Sequence, residues 1–352
     1  MATIRYKGVG IGAMAACVPP QKAYNRDLTD IMPEEEVEKM INSVGIHERR
    51  ICDDNVFASD LCYKAAEKLI EDNNIDPGSI DMLLFMSQCA DYRIPATSCI
   101  LQNRLGLSKD CAAMDLSLGC SGYVYALSCA MAYASMPGIN RVLLLDGEAF
   151  SKIVNPKDKV NVPLYGDAGT ATLIEKGDFG ESVFILHTDG AGEEAVKIPA
   201  GMRNPLNPQS LVVKERENGN FRSDIQVYMD GMDVFNFALR VVPKGVKELI
   251  KVAGTDIDDT DYIVFHQSNR FMTDFFVKKL KIAREKVPYC IERFGNTSSA
   301  SVPLTIVSEL HDRLSGEKNI IMCGFGAGLS WGTARVVFNR CHISPLIEYR
   351  HD

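Results

Sequence analysis

Two periods of apolar positions run along the chain. Within residues 57–73, Leu61, Ala65, Leu69 and Ile70 recur three to four residues apart, which predicts an amphipathic helix, and the charged stretch 34–43 predicts another. The short continuous apolar runs 80–88 and 141–146 predict strands buried on both faces. Residues 4–18 read as one Gly- and Ala-rich strand closed by Pro19-Pro20, and 168–174 with 183–188 as an antiparallel pair around a Gly-containing turn. The stretch 114–133 opens as a short apolar run and continues as a helix. No charge falls between Ser121 and Met136, so this helix is expected to be buried all round. Residues 200–224 break the pattern: polar, with Pro205, Pro208 and Asn218-Gly219-Asn220, and without a period. A loop this long inside a compact domain predicts a lid or an insertion at the mouth of a site.

The second half of the pattern repeats the first. Sliding the chain by 180 residues lays 64–88 on 244–268 without a gap, with Lys64/Lys244, Leu69/Leu249, Ile70/Ile250, Asp76/Asp256, Asp81/Asp261 and Phe85/Phe265 identical. The same offset places Ser121 on Ser301, so the uncharged helix matches the one that follows Asn296, and nearly the same offset lays 141–147 on 320–326. The simplest architecture is a duplicated α/β unit, with residues 1–180 and 181–352 as its halves and two sheets sandwiching buried helices. Equivalent strand ends then face one another across a pseudo-two-fold axis.

Composition narrows the function classes. A net charge of −8 argues against nucleic acid as the main partner. The eleven cysteines include no CxxC pair and lie in apolar contexts, which fits a reducing cytosol. No signal peptide and no apolar run of transmembrane length is recognised, so a soluble, cytoplasmic protein is expected.

Chemistry concentrates at Gly119-Cys120-Ser121-Gly122, a strand-to-helix junction. A free cysteine is most often a small buried hydrophobe. At a helix start, however, unsatisfied amides and the positive dipole end favour a thiolate, and flanking glycines let a substrate approach closely. Three motifs of the second half fall at equivalent element ends. They are Val264-Phe-His266-Gln-Ser-Asn269, Phe294-Gly-Asn296-Thr-Ser-Ser-Ala-Ser-Val-Pro303 and Gly324-Phe325-Gly326-Ala327-Gly328-Leu-Ser-Trp-Gly332. Taken singly, His266 could be a core histidine, Asn296 a helix cap and the glycines a tight turn. Their joint placement opposite Cys120 points to a nucleophile with two side-chain donors.

These motifs, together with Gly45-Ile-His-Glu-Arg-Arg50, Tyr165-Gly-Asp-Ala-Gly169 and Gly231-Met-Asp-Val-Phe235, closely resemble the β-ketoacyl-acyl carrier protein synthase III family of the thiolase-like superfamily. The resemblance spans nearly the whole chain. It implies a five-layered α-β-α-β-α thiolase fold with buried central helices, a homodimer, and decarboxylative Claisen condensation of an acyl thioester with malonyl-acyl carrier protein. The substrates are then thioesters of coenzyme A or acyl carrier protein, with no separate cofactor and no metal. Cys120 would be acylated, and His266 and Asn296 would donate to the enolate-like oxygen formed as carbon dioxide leaves. The backbone N–H groups of Cys120 and Ala327 would form the oxyanion hole, although most family members carry glycine where Ala327 stands. Asn269, Arg270, Met232, Phe325, Gly326 and Gly328 are the remaining substrate-binding candidates.

The departures from the family cluster at the mouth. Lys39 stands where relatives stack a tryptophan on adenine, Ser43 replaces an arginine, Met232 an asparagine, and the basic residue Arg270 is displaced by one position. Losing an aromatic platform removes about 1–3 kcal/mol for a base. An acyl carrier protein or an unusual acyl-coenzyme A is therefore the expected primer carrier. Ile94 aligns with the position that the family sends into the acyl pocket of the partner subunit, often phenylalanine, and its smaller size predicts a longer or branched primer. A non-decarboxylating acyltransferase and a non-catalytic chain-length subunit are the competing readings. The first often lacks the asparagine and the second the cysteine, and both residues are present here.

Overall fold

The computed structural model describes residues 2–351. Two sheets carry the fold. The first runs, in spatial order, His342–Ile343, Val9–Val18, Asp167–Lys176, Arg141–Ala149, Met82–Met86 and Ala112–Leu116, with Ile347–Glu348 also on Val9–Val18. The second runs Ala2–Tyr6, Ser182–Thr188, Ser330–Phe338, Lys318–Gly326 and Tyr262–Phe265. The central strands are buried along most of their length because both of their faces are covered. Along Met82–Met86, Met82, Leu84 and Met86 face the space between the sheets, while Leu83 and Phe85 face the outer helix layer. Along Lys318–Gly326, Ile320 and Met322 point inward, and Ile321, Cys323 and Phe325 point outward. This alternation is the two-residue strand period at work.

Two helices fill the central layer. Gly122–Ser135 and Ser301–Leu310 each contact strands of both sheets, and no residue of Gly122–Ser135 is charged. Pro303 falls in the first turn of its helix, where a missing N–H costs nothing. Outside the first sheet lies Ala58–Asp72, and outside the second lies the amphipathic Gly231–Ala253 packed on Arg270–Leu280. The result is the five-layered, duplicated α/β arrangement. Ala58–Asp72 followed by Met82–Met86 recurs as Gly231–Ala253 followed by Tyr262–Phe265, and Gly122–Ser135 recurs as Ser301–Leu310.

Two expectations need correction. Residues 4–18 are two strands, not one. Ala2–Tyr6 pairs with Ser182–Thr188 in the second sheet, and Val9–Val18 pairs with Asp167–Lys176 in the first. Gly8, at φ +71°, makes the turn between them, a conformation that favours glycine. The stretches 168–174 and 183–188 are likewise not partners. Residues 177–181 carry the chain from one sheet to the other, so each strand pairs within its own sheet.

The 200–224 segment is held by hydrogen bonds rather than by regular structure. Asn207 caps a short turn at Pro208–Leu211, Lys214–Glu215 pairs with Phe221–Arg222, and Arg216 pairs with Asp224. Val227 N donates to Ile153 O at 3.0 Å and ties its end to the main fold. The segment is less polar on its surface than its sequence implies, because Met202, Leu206, Leu211, Val212 and Val213 are all exposed.

Candidate active site

Cys120, His266 and Asn296 line one cavity of about 280 Å³, although they come from different elements. Cys120 precedes the central helix Gly122–Ser135, and Gly122 N closes the turn onto Gly119 O at 2.7 Å. His266 follows the strand Tyr262–Phe265, where its N–H donates to Cys323 O at 2.7 Å. Asn296 lies on the turn into Ser301–Leu310. Its backbone is clamped from both sides: Asn296 N donates to Leu164 O at 2.8 Å, and Gly166 N donates to Asn296 O at 3.1 Å. A side chain at 166 would force the backbone apart, because a Cβ there would fall 2.1 Å from Phe294 O. That explains the glycine of Tyr165-Gly-Asp-Ala-Gly169.

Hydroxyls of the 296–301 turn have separate jobs. Asn296 Oδ1 accepts from Ser298 N at 2.9 Å, which fixes the amide plane and leaves its NH₂ free to donate. Ser298 Oγ lies 3.6 Å from Cys120 Sγ. Ser301 Oγ accepts from Gln267 N at 3.3 Å and lies 2.7 Å from His266 Nδ1. While accepting from Gln267, the Ser301 hydroxyl can also donate to Nδ1, and the ring proton is assigned to Nε2 on that basis. Phe325 packs edge-on against the imidazole, 5.2 Å between ring centres.

Electrostatics follow from burial. His266 is driven down to about 3 by desolvation, so the ring is neutral at physiological pH. Burial pushes the Cys120 thiol up to about 11, eased only partly by Ser298. This upward push opposes the thiolate that a helix start favours. Cys120 sits before the cap residue Ser121 rather than in the first turn.

The other predicted site residues divide. Ala327, Gly326, Phe325 and Asn269 line the cavity, and Asn269 Oδ1 also caps Arg270–Leu280 through Met272 N at 2.8 Å. A Cβ on Gly326 would meet Cys120 Cβ at 2.9 Å, so glycine there makes room for the nucleophile. Gly328 lies beyond the lining, in the turn between two strands. Met232 is 66% exposed in the first turn of Gly231–Ala253, and the lining residues there are Gly231 and Val234. Arg270 is engaged by Glu292 and by Asp274 at 3.6 Å. Ile94 is 88% exposed, away from the cavity of its own chain. Met40 and Val44, one turn apart on Glu34–Val44, line the mouth in place of the predicted Lys39 and Ser43. A second cavity of about 230 Å³ shares Gln88, Phe150, Val196 and Ala327 with the first and extends to Ile153, Ile198 and Val227.

A cysteine facing neutral histidine and asparagine donors in an apolar chamber between two duplicated halves defines the class of thiolase-fold, acyl-thioester condensing enzymes. Comparisons with known proteins narrow that class. Residues 114–191 match the family model described as 3-oxoacyl-[acyl-carrier-protein] synthase III, and residues 250–338 match the C-terminal model of the same family. A putative 3-oxoacyl-[acyl-carrier-protein] synthase 3 of Campylobacter jejuni is 35% identical over 98% of both chains. The β-ketoacyl-[acyl-carrier-protein] synthase III of Clostridium acetobutylicum is 35% identical over 90% of this chain and 94% of its own. The crystal structure of a 3-oxoacyl-(acyl-carrier protein) synthase from Burkholderia xenovorans superposes with a TM-score of 0.93, at 38% identity over 99% of each chain. The chain belongs to the 3-oxoacyl-[acyl-carrier-protein] synthase III family.

Sequence reasoning missed Ser298, Ser299 and Ser301 as distinct groups, and it missed the buried acids Asp146 and Glu148. The serines were visible as a run of small polar residues. Two acids spaced i, i+2 in an apolar strand were the available signal for the pair.

Proposed function

We propose that this chain condenses an acyl primer with malonyl-acyl carrier protein to give a 3-oxoacyl-acyl carrier protein. The carrying observation is that Cys120, His266 and Asn296 line the same apolar cavity. Cys120 Sγ attacks the primer thioester, its proton leaves on the departing thiol, and the acyl group remains on the enzyme. Backbone N–H groups of Cys120 and Ala327 are the oxyanion donors in this reading. Malonyl thioester then enters, and its carboxylate leaves as carbon dioxide. The electron pair flows into the thioester carbonyl, whose oxygen receives hydrogen bonds from His266 Nε2–H and the Asn296 NH₂. The resulting enolate carbon attacks the acyl-Cys120 carbonyl and expels the Cys120 thiolate, which takes up one proton from solvent to restore the thiol. A neutral imidazole suits this role, because the step needs donors and no proton is taken from the substrate. The chemistry needs no group beyond the two thioesters.

The halves 1–180 and 181–352 supply the nucleophile and the two donors respectively. The mouth carries Met40 and Val44 and no aromatic residue of Glu34–Val44, which supports an acyl carrier protein as primer carrier. The second cavity supports a primer longer or bulkier than acetyl. The exposed Ile94 supports a homodimer in which each copy closes the acyl cavity of the other. Mass spectrometry after incubation with a panel of acyl thioesters, followed by measurement of carbon dioxide release from malonyl-acyl carrier protein, tests the reading. Acylation of Cys120 without carbon dioxide release would reduce the protein to an acyltransferase, and best turnover with acetyl would remove the long-primer assignment.

A further inference from the structure

Behind the nucleophile lies a pair of acids that the proposed chemistry does not use. Asp146 and Glu148 alternate inward on the strand Arg141–Ala149, and both are fully buried. Ser299 Oγ lies 2.6 Å from Asp146 Oδ1 and 3.3 Å from Glu148 Oε1, so one hydroxyl proton serves two carboxyl groups. Glu148 also accepts from Gln88 N at 3.2 Å and from Ser87 Oγ at 3.4 Å. Asp146 Oδ2 has no hydrogen-bond partner among the described residues. An ionised carboxylate would not be left in that state, and two adjacent buried carboxylates cannot both ionise cheaply. The pair therefore carries at least one proton, and Asp146, the less solvated member, holds it.

The pair also touches the active-site turn. Ser299 adjoins Ser298, whose hydroxyl faces Cys120 Sγ, and the same turn carries Asn296 and Ser301. Charge on either acid opposes ionisation of the Cys120 thiol. The other ionisable groups around the pair are Cys62 from Ala58–Asp72, Cys89 after Met82–Met86, Tyr123 on Gly122–Ser135, Tyr165 on the chamber wall, and Asp167, further off on the neighbouring strand. All five are neutral when protonated, so none supplies a compensating positive charge.

We infer that Asp146 and Glu148, bridged by Ser299, are positioning residues that set the charge behind Cys120: protonated, they let the thiol ionise, and on losing a proton they hold it back. This rests on the reading of Cys120 as the nucleophile. Glu148 is the member that gives up the proton, since burial raises it to about 8 against four hydrogen bonds, from Cys89, Gln88 N, Ser299 and Ser87, that favour its anion.

The test is the rate of Cys120 alkylation by iodoacetamide, resolved by peptide mass spectrometry between pH 6.5 and 9.5, with the exposed Cys99 as an internal reference. A lone thiol below its own pKa gains tenfold in rate per pH unit. In the wild type the gain is expected to fall well short of that between pH 7 and 9, where Glu148 ionises. The variant Glu148→Gln is expected to restore the full slope. It should match the wild type at pH 6.5 and react about tenfold faster at pH 9.5, the effect of one pKa unit. A full slope in the wild type, or a Glu148→Gln effect of the same factor at both ends, overturns the inference. The wild-type profile decides even where the variant does not accumulate. Because alkylation needs no acyl thioester, a failure here is distinct from absence of acylation, which would overturn the nucleophile reading instead.

Discussion

Ser301 Oγ sits 2.7 Å from His266 Nδ1 and, with the ring proton assigned to Nε2, donates to that nitrogen while accepting from Gln267 N. A helix residue one turn from the chemistry thereby decides which nitrogen of the histidine is the donor. Ser301→Ala removes that choice and leaves Nδ1 without its partner. The expected result is a loss of about tenfold or more in carbon dioxide release, with acylation of Cys120 retained. Parallel measurement of the acyl adduct and of carbon dioxide separates the two steps.

Replacing Asn296 with Ala takes away one of the two donors to the enolate oxygen. Removal of one such donor is worth about 10²–10³ in rate. Decarboxylation is expected to fall by that factor while the acyl adduct forms at its normal rate. An equal loss in both steps would mean that the turn, and not the donor, had failed.

Acid sensitivity should carry a histidine component of known sign. Burial lowers His266 to about 3, whereas the unfolded chain takes up a proton near 6.5. Between those values the unfolded state binds more protons, so the His266 contribution to stability is lost as pH falls from 6.5 toward 3. The slope is at most about 1.4 kcal/mol per pH unit. Urea unfolding at pH 7 and pH 5 should therefore show a larger loss for the wild type than for His266→Gln. Glu148 acts in the opposite direction but is common to both proteins and drops out of the difference. Equal losses would contradict a neutral, buried ring.

Much of this was legible in the sequence. The period of 57–73, the apolar runs and the offset of 180 residues identified the layers and the duplication, because buried strands and largely apolar central helices leave composition little freedom. The motifs around Cys120, His266 and Asn296 pointed to one chamber. What the sequence hid was pairing across distance. Nothing in residues 4–18 announces a change of sheet except Gly8. At Cys120 the helix end is visible in the sequence, whereas the burial that pushes the thiol the other way is not. Ile94, Met232 and Arg270 carry the alignment of a binding residue, but within one chain the first two are exposed and the third is engaged by acids.

Backbone clearance at Gly166 gives a stability prediction. The neighbour of a new Cβ would be the Phe294 carbonyl, which cannot swing aside as a flexible side chain would. Gly166→Ala is expected to cost about 1–3 kcal/mol, read by denaturant unfolding. It should also lower carbon dioxide release more than acylation, because the clamp on the Asn296 backbone moves with it. A neutral effect on both would show that the clamp has slack.

The most direct measurement is a two-stage mass-spectrometric experiment on the wild type. The protein is acylated with a carrier-bound primer, the modified peptide is identified, and malonyl-acyl carrier protein is then added. The acyl group is expected on Cys120 alone, and it should leave with one carbon dioxide per 3-oxoacyl product formed. An acyl group found on another cysteine, or one that stays on Cys120 when malonyl-acyl carrier protein is present, would contradict the convergence of Cys120, His266 and Asn296 on one reacting thioester.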